Sequence, residues 1–246
     1  MRGLITALRT LTIIPVPGRD ARLLAEALPY FPVAGALLGA LVSFGGWGLL
    51  AVAPGWTAGA AALMLLLEML LTGGLHTDGL GDAADALGAG RDRQRALSIM
   101  KDSRQGSFGV IAIGLVLLLK WVAYARLLEM AGGWKLVCLA FAVSRQAMAH
   151  LAAFQPYARA EGGTGQPFVG GRQVLPVAAG WLMTAGGCFA AVWPGAAALL
   201  LAAGLTWVFG RWCRARYGGV TGDLLGAYTE ISLVSILFFL IILNQG

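Results

Sequence analysis

Three aspartates in the middle of the chain have the spacing of a helical stripe. Asp78, Asp82 and Asp85 stand at positions i, i+4 and i+7, which places their carboxylates on one face of a helix. Carboxylates this close repel one another, and Mg²⁺ relieves the repulsion because it takes oxygen ligands and shares them with phosphates. A solvated acidic helix face is the structural alternative. We expect a Mg²⁺ site here, with all three aspartates as ligands and Asp82 as a catalytic residue.

A histidine and a mixed-charge cluster flank the stripe. His76, just before the first aspartate, could be a general acid or base, a metal ligand, or a hydrogen-bonded histidine at a helix entry. Lys101, Asp102, Ser103 and Arg104 follow, at the start of an apolar segment. Lysine and arginine neutralise phosphate oxygens, although basic residues also flank membrane spans. The pattern predicts that His76, Lys101 and Arg104 are catalytic and that Asp102 and Ser103 contact substrate.

A third polar group precedes the last apolar segment. It consists of Thr221, Gly222 and Asp223. The glycine frees the backbone to approach a ligand, and the aspartate adds a carboxylate near the membrane. These residues are predicted to bind substrate, and a plain capping turn at the start of the last helix explains them almost as well.

Four charged residues lie inside apolar segments. A charge within a membrane span is costly, so each one is a functional candidate. Glu68, Arg145 and Glu230 are predicted to contact substrate, with pairing between Arg145 and Glu230 as the alternative. Lys120 is more simply explained by pairing or by reaching toward the membrane surface.

The composition requires a membrane. Of the 246 residues, 58% are hydrophobic and only 12% are charged, whereas soluble domains carry about 25% charged residues. A spanning helix needs about 20 apolar residues. We therefore predict a single all-α domain, residues 1–246, with about seven spans and an amphipathic N-terminal helix lying on the membrane surface. The predicted spans are residues 31–53, 55–75, 107–130, 134–154, 174–193, 195–211 and 224–243.

The basic residues determine the predicted orientation. Most of the 18 lysines and arginines fall in segments that share one side if the N-terminus is inside, and cytoplasmic loops collect such residues. The net charge of +6 does not indicate nucleic acid, because the basic residues form no stripe with interleaved aromatics. We expect a multi-pass protein of the bacterial inner membrane, with the N-terminus and the polar clusters cytoplasmic.

Several motifs together resemble the cobalamin synthase family, the adenosylcobinamide-GDP ribazoletransferases. The central one is GGLHTDGLGDAAD at residues 73–85, which is similar to the family's GGFHxDGLADxxDG. The others are LTIIPVP at 11–17, FPVAG at 31–35, IMKDSRQG at 99–106 and GVTGDLLGA at 219–227. Each is short, but their order and spacing make the combined resemblance specific, and it covers most of the chain.

The resemblance implies a Mg²⁺-dependent transfer. Adenosyl-GDP-cobinamide and α-ribazole, or its 5′-phosphate, would give adenosylcobalamin, or its 5′-phosphate, and GMP. The lipid bilayer is a further partner, and the sequence leaves open a homo-oligomer or contact with other enzymes of cobalamin synthesis.

Two other functions fit parts of the pattern. The aspartate spacing also resembles that of CDP-alcohol phosphotransferases, which make phospholipids; that class typically has an Ala-Arg step after its second Asp-Gly, and no such step follows the aspartates here. A permease would use its intramembrane charges as a solute path, but transporters usually place their polar sites near the midplane between repeats.

Overall fold

The computed structural model describes residues 2–170, 174–189 and 193–244, and most of these residues are helical. Short 3₁₀ turns occur at Leu24–Tyr30, Ala86–Ala89 and Gln166–Phe168. The α-helices are α1 (Arg2–Leu11), α2 (Phe31–Val52), α3 (Thr57–Thr72), α4 (Leu75–Asp85), α5 (Arg93–Ile99), α6 (Ser107–Glu129), α7 (Gly133–Phe154), α8 (Val174–Phe189), α9 (Trp193–Tyr217) and α10 (Gly222–Leu243).

A helix occupies each of the seven predicted spans, but fewer than seven are long and apolar enough to cross a membrane. Among the described residues, five helical segments pass by length and composition. They are Leu24–Val52, Ser107–Glu129, Gly133–Phe154, Gly195–Tyr217 and Gly222–Leu243. The number rises to six if α3 and α4, which meet at an angle of 89°, together make one span.

The difference from seven has a local cause at two places. The predicted second span ends early because Gly73 and Gly74, with φ of 63° and 69°, adopt the left-handed conformation that glycine tolerates and that ends a helix. The apolar part of α8, Val174–Gly186, is too short to span by itself. The end of the predicted fifth span, residues 190–192, lies outside the described residues. Helix α9 continues past its predicted end at residue 211, through the basic residues that follow, to Tyr217.

Helix α7 is the centre of the bundle. In its apolar window 89% of the residues are buried, against 28% in α6. Helix α2 packs closely against it, since a Cβ on Gly35 would lie 2.6 Å from the carbonyl oxygen of Phe141 and one on Gly39 would lie 2.9 Å from Cα of Cys138. Small residues allow such a backbone approach in lipid.

Helix α4 packs against the start of α10 through two glycines. A Cβ on Gly79 would lie 2.9 Å from the carbonyl oxygen of Asp223, and one on Gly226 would lie 3.2 Å from Cα of His76. The short α4 therefore lies directly on α10. This contact brings the predicted aspartate stripe to Asp223, which is far away in the sequence.

The N-terminal helix α1 is short and amphipathic, as predicted. Its Ala7 and Leu11 are buried, and it contacts the 3₁₀ turn Leu24–Tyr30 and α2. Arg9 holds the following loop by an ion pair of 2.8 Å with Asp20 and by hydrogen bonds to the carbonyl oxygen of Val16. Thr10 and Leu11 reach the cavity described below, so α1 also contributes to its wall.

Candidate active site

Helices α4 and α10 form an acidic cluster at one end of the bundle. Burial, followed by the negative charges of Asp78, Asp223 and Asp85, raises the pKa of the Asp82 carboxyl from 3.8 to about 6. Part of this shift comes from the neighbouring carboxylates, which therefore lie near Asp82, and the positive charge of Arg159 offsets it only in part. The structure thus brings Asp78 and Asp82 together as predicted, and adds Asp223 to them.

Asp85 has a different role from the one predicted. Its Oδ2 accepts hydrogen bonds from the backbone N–H of Gly106 at 2.7 Å and from Nε2 of Gln105 at 2.9 Å, and its Oδ1 accepts one from the N–H of Gly109 at 2.9 Å. The carboxylate therefore satisfies free amides at the N-terminus of α6, where a negative charge also interacts favourably with the helix dipole. This engagement favours a structural capping role over the predicted role of metal ligand.

The residues fit Mg²⁺ only if it is held in part by substrate. Within the described ranges there is no group of three or more His, Cys, Asp or Glu side chains that could hold a metal ion together, so the predicted three-carboxylate cage is not found. Protein-bound Mg²⁺ usually takes one or two carboxylates and completes its shell with waters and phosphates. Asp82 and its neighbour Asp78 provide carboxylates of this kind, whose charge is only partly balanced by the protein.

A cavity of about 230 Å³ lies beside the acidic cluster. His76, Asp78 and Asp223 contribute its polar wall, and Phe168 and Met148 contribute part of its apolar wall. The His76 side chain is buried, and its Nδ1 has no hydrogen-bond partner in the described part of the chain. Burial, followed by the positive charges of Arg145 and Lys120, lowers the pKa of His76 well below its ordinary value, so the imidazole is neutral and can accept a hydrogen bond.

Two roles were considered for Thr221, Gly222 and Asp223: a capping turn at the start of α10 and a contact with substrate. Thr221 caps α10, since its Oγ1 accepts a hydrogen bond of 3.2 Å from the N–H of Leu224. Gly222 and Asp223 line the cavity, and the Asp223 carboxylate also accepts a hydrogen bond from Thr221 at 3.2 Å. The capping turn is therefore present, and the predicted contact of these residues with substrate remains a prediction.

The cluster from Lys101 to Arg104 lies on an exposed loop. Lys101 pairs with Glu161 at 3.2 Å, and both side chains are more than half exposed. Arg104 pairs with Asp102 at 2.6 Å, and its hydrogen bonds lower the pKa of the Asp102 carboxyl to about 2. Ser103 is exposed as well. None of these four lines the cavity, so their predicted contact with phosphate remains a prediction.

Sequence analysis missed Arg159. Its Nη2 lies 2.7 Å from Oδ2 of Asp223, and its side chain is only 9% exposed. The connection between α7 and α8 carries it to the start of α10, where the N–H of Val220 donates to the carbonyl oxygen of Pro156 at 2.9 Å. The sequence marks Arg159 only as one basic loop residue among many, because this contact joins segments that are far apart along the chain.

The buried acidic residues pair with a lysine. Nζ of Lys120 lies 2.6 Å from Glu68 and 2.5 Å from Glu230, the hydroxyl of Tyr124 donates to Glu68 at 2.8 Å, and Thr77 donates to Glu230 at 3.3 Å. The two glutamates are almost wholly buried and do not line the cavity. This favours a structural ion triad that joins α3, α6 and α10 over the predicted contact with substrate.

Arg145 does not form the predicted pair with Glu230. Its guanidinium stacks 4.6 Å from the ring centroid of Phe141, and none of its three nitrogens has a hydrogen-bond partner among the described residues. The side chain is completely buried. The structure does not test the predicted role of Arg145 in substrate binding.

The comparisons with known proteins agree on one family. The family described as cobalamin-5-phosphate synthase matches residues 3–241. A relative from Chlorobium phaeovibrioides named adenosylcobinamide-GDP ribazoletransferase is 41% identical over 238 residues, which cover 94% of each chain. A relative of the same name from Syntrophobacter fumaroxidans is 41% identical over 241 residues, covering 94% of this chain and 95% of the relative.

A third relative of that name, from Chlorobium chlorochromatii, is 41% identical over 242 residues and covers 95% of this chain and 93% of its own length. No solved structure matches the chain. None of the three relatives is named as a phospholipid-making enzyme or a permease, the two alternatives considered from the sequence. The family match extends over nearly the whole chain, and the chain belongs to the cobalamin-5-phosphate synthase family.

Proposed function

We propose that this protein is a Mg²⁺-dependent membrane transferase. It joins adenosylcobinamide-GDP to α-ribazole or its 5′-phosphate, and it releases GMP and forms adenosylcobalamin or its 5′-phosphate. The observation that carries the proposal is the cavity between α4 and α10, where Asp78 and Asp223 face His76 in a chain of this family. A diphosphate substrate needs a site of this kind, in which carboxylates and a cation hold anionic oxygens.

The reaction is a phosphoryl substitution. A ribose hydroxyl of the ribazole attacks the phosphorus on the cobinamide side of the diphosphate, the new P–O bond forms, and the bond to the GMP oxygen breaks. The family is described by a 5-phosphate product, so a nucleoside that keeps its 5′-phosphate must attack through another ribose hydroxyl. The proton of that hydroxyl passes to a base, and GMP leaves with the electron pair of the broken bond.

The residues of the cavity have separate tasks. Asp78, which lines the cavity, and the neighbouring Asp82, with Asp223 beside them, would hold the cation, which would neutralise charge on the diphosphate. The attacking hydroxyl loses its proton either to the neutral His76 or to a carboxylate, and both line the cavity. The apolar wall formed by Phe168 and Met148 reduces access of water, which would compete as a nucleophile.

The proposed cellular location is the cytoplasmic face of the bacterial inner membrane. In support, basic segments meet at the end of the bundle that carries the acidic cluster: Nη2 of Arg93 donates to the carbonyl oxygen of Ala158 at 3.2 Å, and Arg216 donates to the carbonyl oxygen of Gly90. Segments rich in arginine stay on the cytoplasmic side. The same distribution of basic residues supports a cytoplasmic N-terminus.

The test is release of GMP by the purified protein in detergent or liposomes. Adenosylcobinamide-GDP, α-ribazole 5′-phosphate and Mg²⁺ are supplied together, and each is then omitted in turn. We expect GMP only when all three are present, and none after EDTA is added. GMP release that continues undiminished in EDTA contradicts the role of Mg²⁺, and its absence in the complete mixture contradicts the activity. A parallel assay with free α-ribazole in place of α-ribazole 5′-phosphate shows which of the two is the preferred substrate.

A further inference from the structure

We propose that the connection between α7 and α8 carries an anion-binding site for the phosphates of a nucleoside diphosphate, with Arg159 as its main ligand and Tyr157 as a second donor. We call residues 155–170 the strap. The inference rests on the proposed function, since it assigns a residue to the GDP part of the substrate. It also assigns the contact with phosphate to a different segment from Lys101 and Arg104, the cations predicted from the sequence.

The first observation is an unused donor. Nη2 of Arg159 is engaged by Asp223 at 2.7 Å, and the side chain is 9% exposed. Its Nε is buried and has no hydrogen-bond partner in the described part of the chain. A buried donor without an acceptor is costly, particularly on a charged group. The missing acceptor is supplied by a bound anion.

The second observation is the neighbouring tyrosine. The hydroxyl of Tyr157 is buried near the Arg159 guanidinium and has no acceptor among the described residues. Two donors of the same short segment thus lack acceptors at the same place. Arginine is suited to phosphate, because its planar fork presents two parallel N–H groups.

The strap is held firmly over the cavity. Ala158 donates to the carbonyl oxygen of Val220 at 2.8 Å, and Gly170 donates to the carbonyl oxygen of Ala152 at 2.9 Å. A Cβ on Gly165 would lie 3.0 Å from Cα of Gly222. Thr164, Gly165 and Phe168 of the strap line the cavity together with Asp223, so Arg159 is attached to a fixed part of its wall.

Charge balance explains why a cation is needed at this position. The aspartates of α4 and α10 would repel a diphosphate, since Asp78 and Asp223 both line the cavity. Lys101 and Arg104 are exposed and already paired with Glu161 and Asp102. Arg159 is the buried cation that contacts an aspartate of the cavity, and one edge of its guanidinium remains for phosphate.

The experiment measures GDP binding to the purified full-length protein by calorimetry, in EDTA so that no metal contributes. We expect Arg159→Gln to raise the Kd for GDP by about 10- to 100-fold, since a hydrogen bond to a charged group contributes about 1.5–3 kcal/mol. Arg159→Lys keeps the charge but not the fork and should lie between. Arg126→Gln, an exposed arginine paired with Glu129, is the matched control and should leave the Kd unchanged.

Asp223→Asn tests whether Arg159 binds phosphate or only holds Asp223 in position. The variant breaks the ion pair but leaves Arg159 free, so GDP affinity in EDTA should be kept or increased. Equal losses of affinity in Asp223→Asn and Arg159→Gln, or an unchanged Kd in a folded Arg159→Gln, overturn the proposal. If Arg159→Gln does not fold, Tyr157→Phe decides: a Kd raised by about 10-fold or more, the loss of one hydrogen bond to a charged phosphate, supports the site, and an unchanged Kd removes it.

The failure of this site and the failure of the proposed function are distinguishable. If the wild-type protein releases no GMP from adenosylcobinamide-GDP but its GDP binding depends on Arg159, the transferase activity is wrong and the anion site stands. If GMP release proceeds and Arg159→Gln binds GDP like the wild type, the anion site is wrong and the activity stands.

Discussion

Two groups of carboxylates in this protein face opposite electrostatic situations. In the ion triad, Glu68 and Glu230 share the fully buried Lys120 at 2.6 and 2.5 Å, so a fixed side chain supplies the counter-charge. In the acidic cluster, Asp78 and Asp223 line an open cavity, Asp82 lies near them, and Arg159 balances only part of their charge. The first arrangement is complete without a ligand, whereas the second is incomplete.

This difference teaches how to interpret charge in a membrane protein. A buried ion is costly unless it is paired, so a charged residue within a span is explained as well by a structural partner as by substrate. Charge that remains uncompensated beside a cavity is the stronger sign of function. Substitutions in the two groups should therefore have different consequences, the first for folding and the second for turnover.

The largest effect is expected from Lys120→Met. It leaves two buried glutamates without a cation and should lower the free energy of unfolding by about 3–5 kcal/mol. Unfolding in mixed micelles with increasing SDS measures the loss. The matched control, Lys135→Met, removes an exposed lysine at the start of α7 and should have little effect.

Neutralising the whole triad sharpens the comparison. Lys120→Met combined with Glu68→Gln and Glu230→Gln removes the stranded charges, so most of the stability and GMP release should return. If the triple variant folds as well as the wild type but releases no GMP, the triad takes part in catalysis, and the division between the two groups of carboxylates is wrong.

Asp82→Asn is expected to lower the rate of GMP release by about 10²–10³-fold, the range seen when one electrostatic contact to a transition state is removed. Its fold should remain, because no ion pair is broken. Initial rates at saturating Mg²⁺ and thermal unfolding of the same preparation measure both properties. Glu129→Gln, an exposed carboxylate at the end of α6, is the control. Near-normal rates in Asp82→Asn exclude this residue from the cation site.

The pH dependence of Mg²⁺-supported activity follows from Asp82. Its carboxyl has a pKa of about 6 in the folded protein without metal and must be ionised to hold a cation, so GMP release at limiting Mg²⁺ should fall as the pH drops through about 6. A bound cation lowers the pKa of its ligand, so saturating Mg²⁺ should move the midpoint to lower pH. Asp78→Asn removes a negative neighbour, lowers the pKa of Asp82 and should move the midpoint of the remaining activity to lower pH. A midpoint that does not move assigns the titration to another group.

The same shift has a consequence for stability. A raised carboxyl pKa favours the protonated folded state, so the penalty for ionising Asp82 is absent below its unfolded pKa of 3.8, grows up to about 6 and is complete above that pH. Asp82→Asn should accordingly be more stable than the wild type at neutral pH and no more stable near pH 3.5. Thermal unfolding without Mg²⁺ at the two pH values tests this sign.

The smallest effect is expected at Asp85. Asp85→Ala removes the acceptor for the first amides of α6 and should destabilise the protein by about 1 kcal/mol, as the loss of a helix cap does. GMP release should fall far less than in Asp82→Asn. An equal loss of activity, with unchanged stability, would return Asp85 to the metal ligands that the sequence predicts.

The local sequence pattern was sufficient to predict most of the helices and two of the aspartates of the candidate site. The run of apolar residues predicted a helix in each of the seven segments, and the i, i+4, i+7 spacing placed Asp78 and Asp82 on the short α4. Among the described residues, five helices, or six if α3 and α4 make one span, are long and apolar enough to cross a membrane, where seven spans were predicted, because hydropathy does not register the sharp bend at Gly73 and Gly74. Similarity of short motifs predicted the family that the comparisons confirm.

The amino-acid sequence by itself determined that this is a helical membrane protein with an acidic stripe, since hydrophobicity and helical periodicity are properties of neighbouring residues. Only the tertiary structure decided which charges are free. In the folded protein Asp85 accepts hydrogen bonds from the amides of α6. Lys120 forms ion pairs with Glu68 and Glu230, and Arg159 forms one with Asp223. Each of these pairings joins different segments of the chain, and the energy of a charge depends on what lies within a few ångströms of it in space.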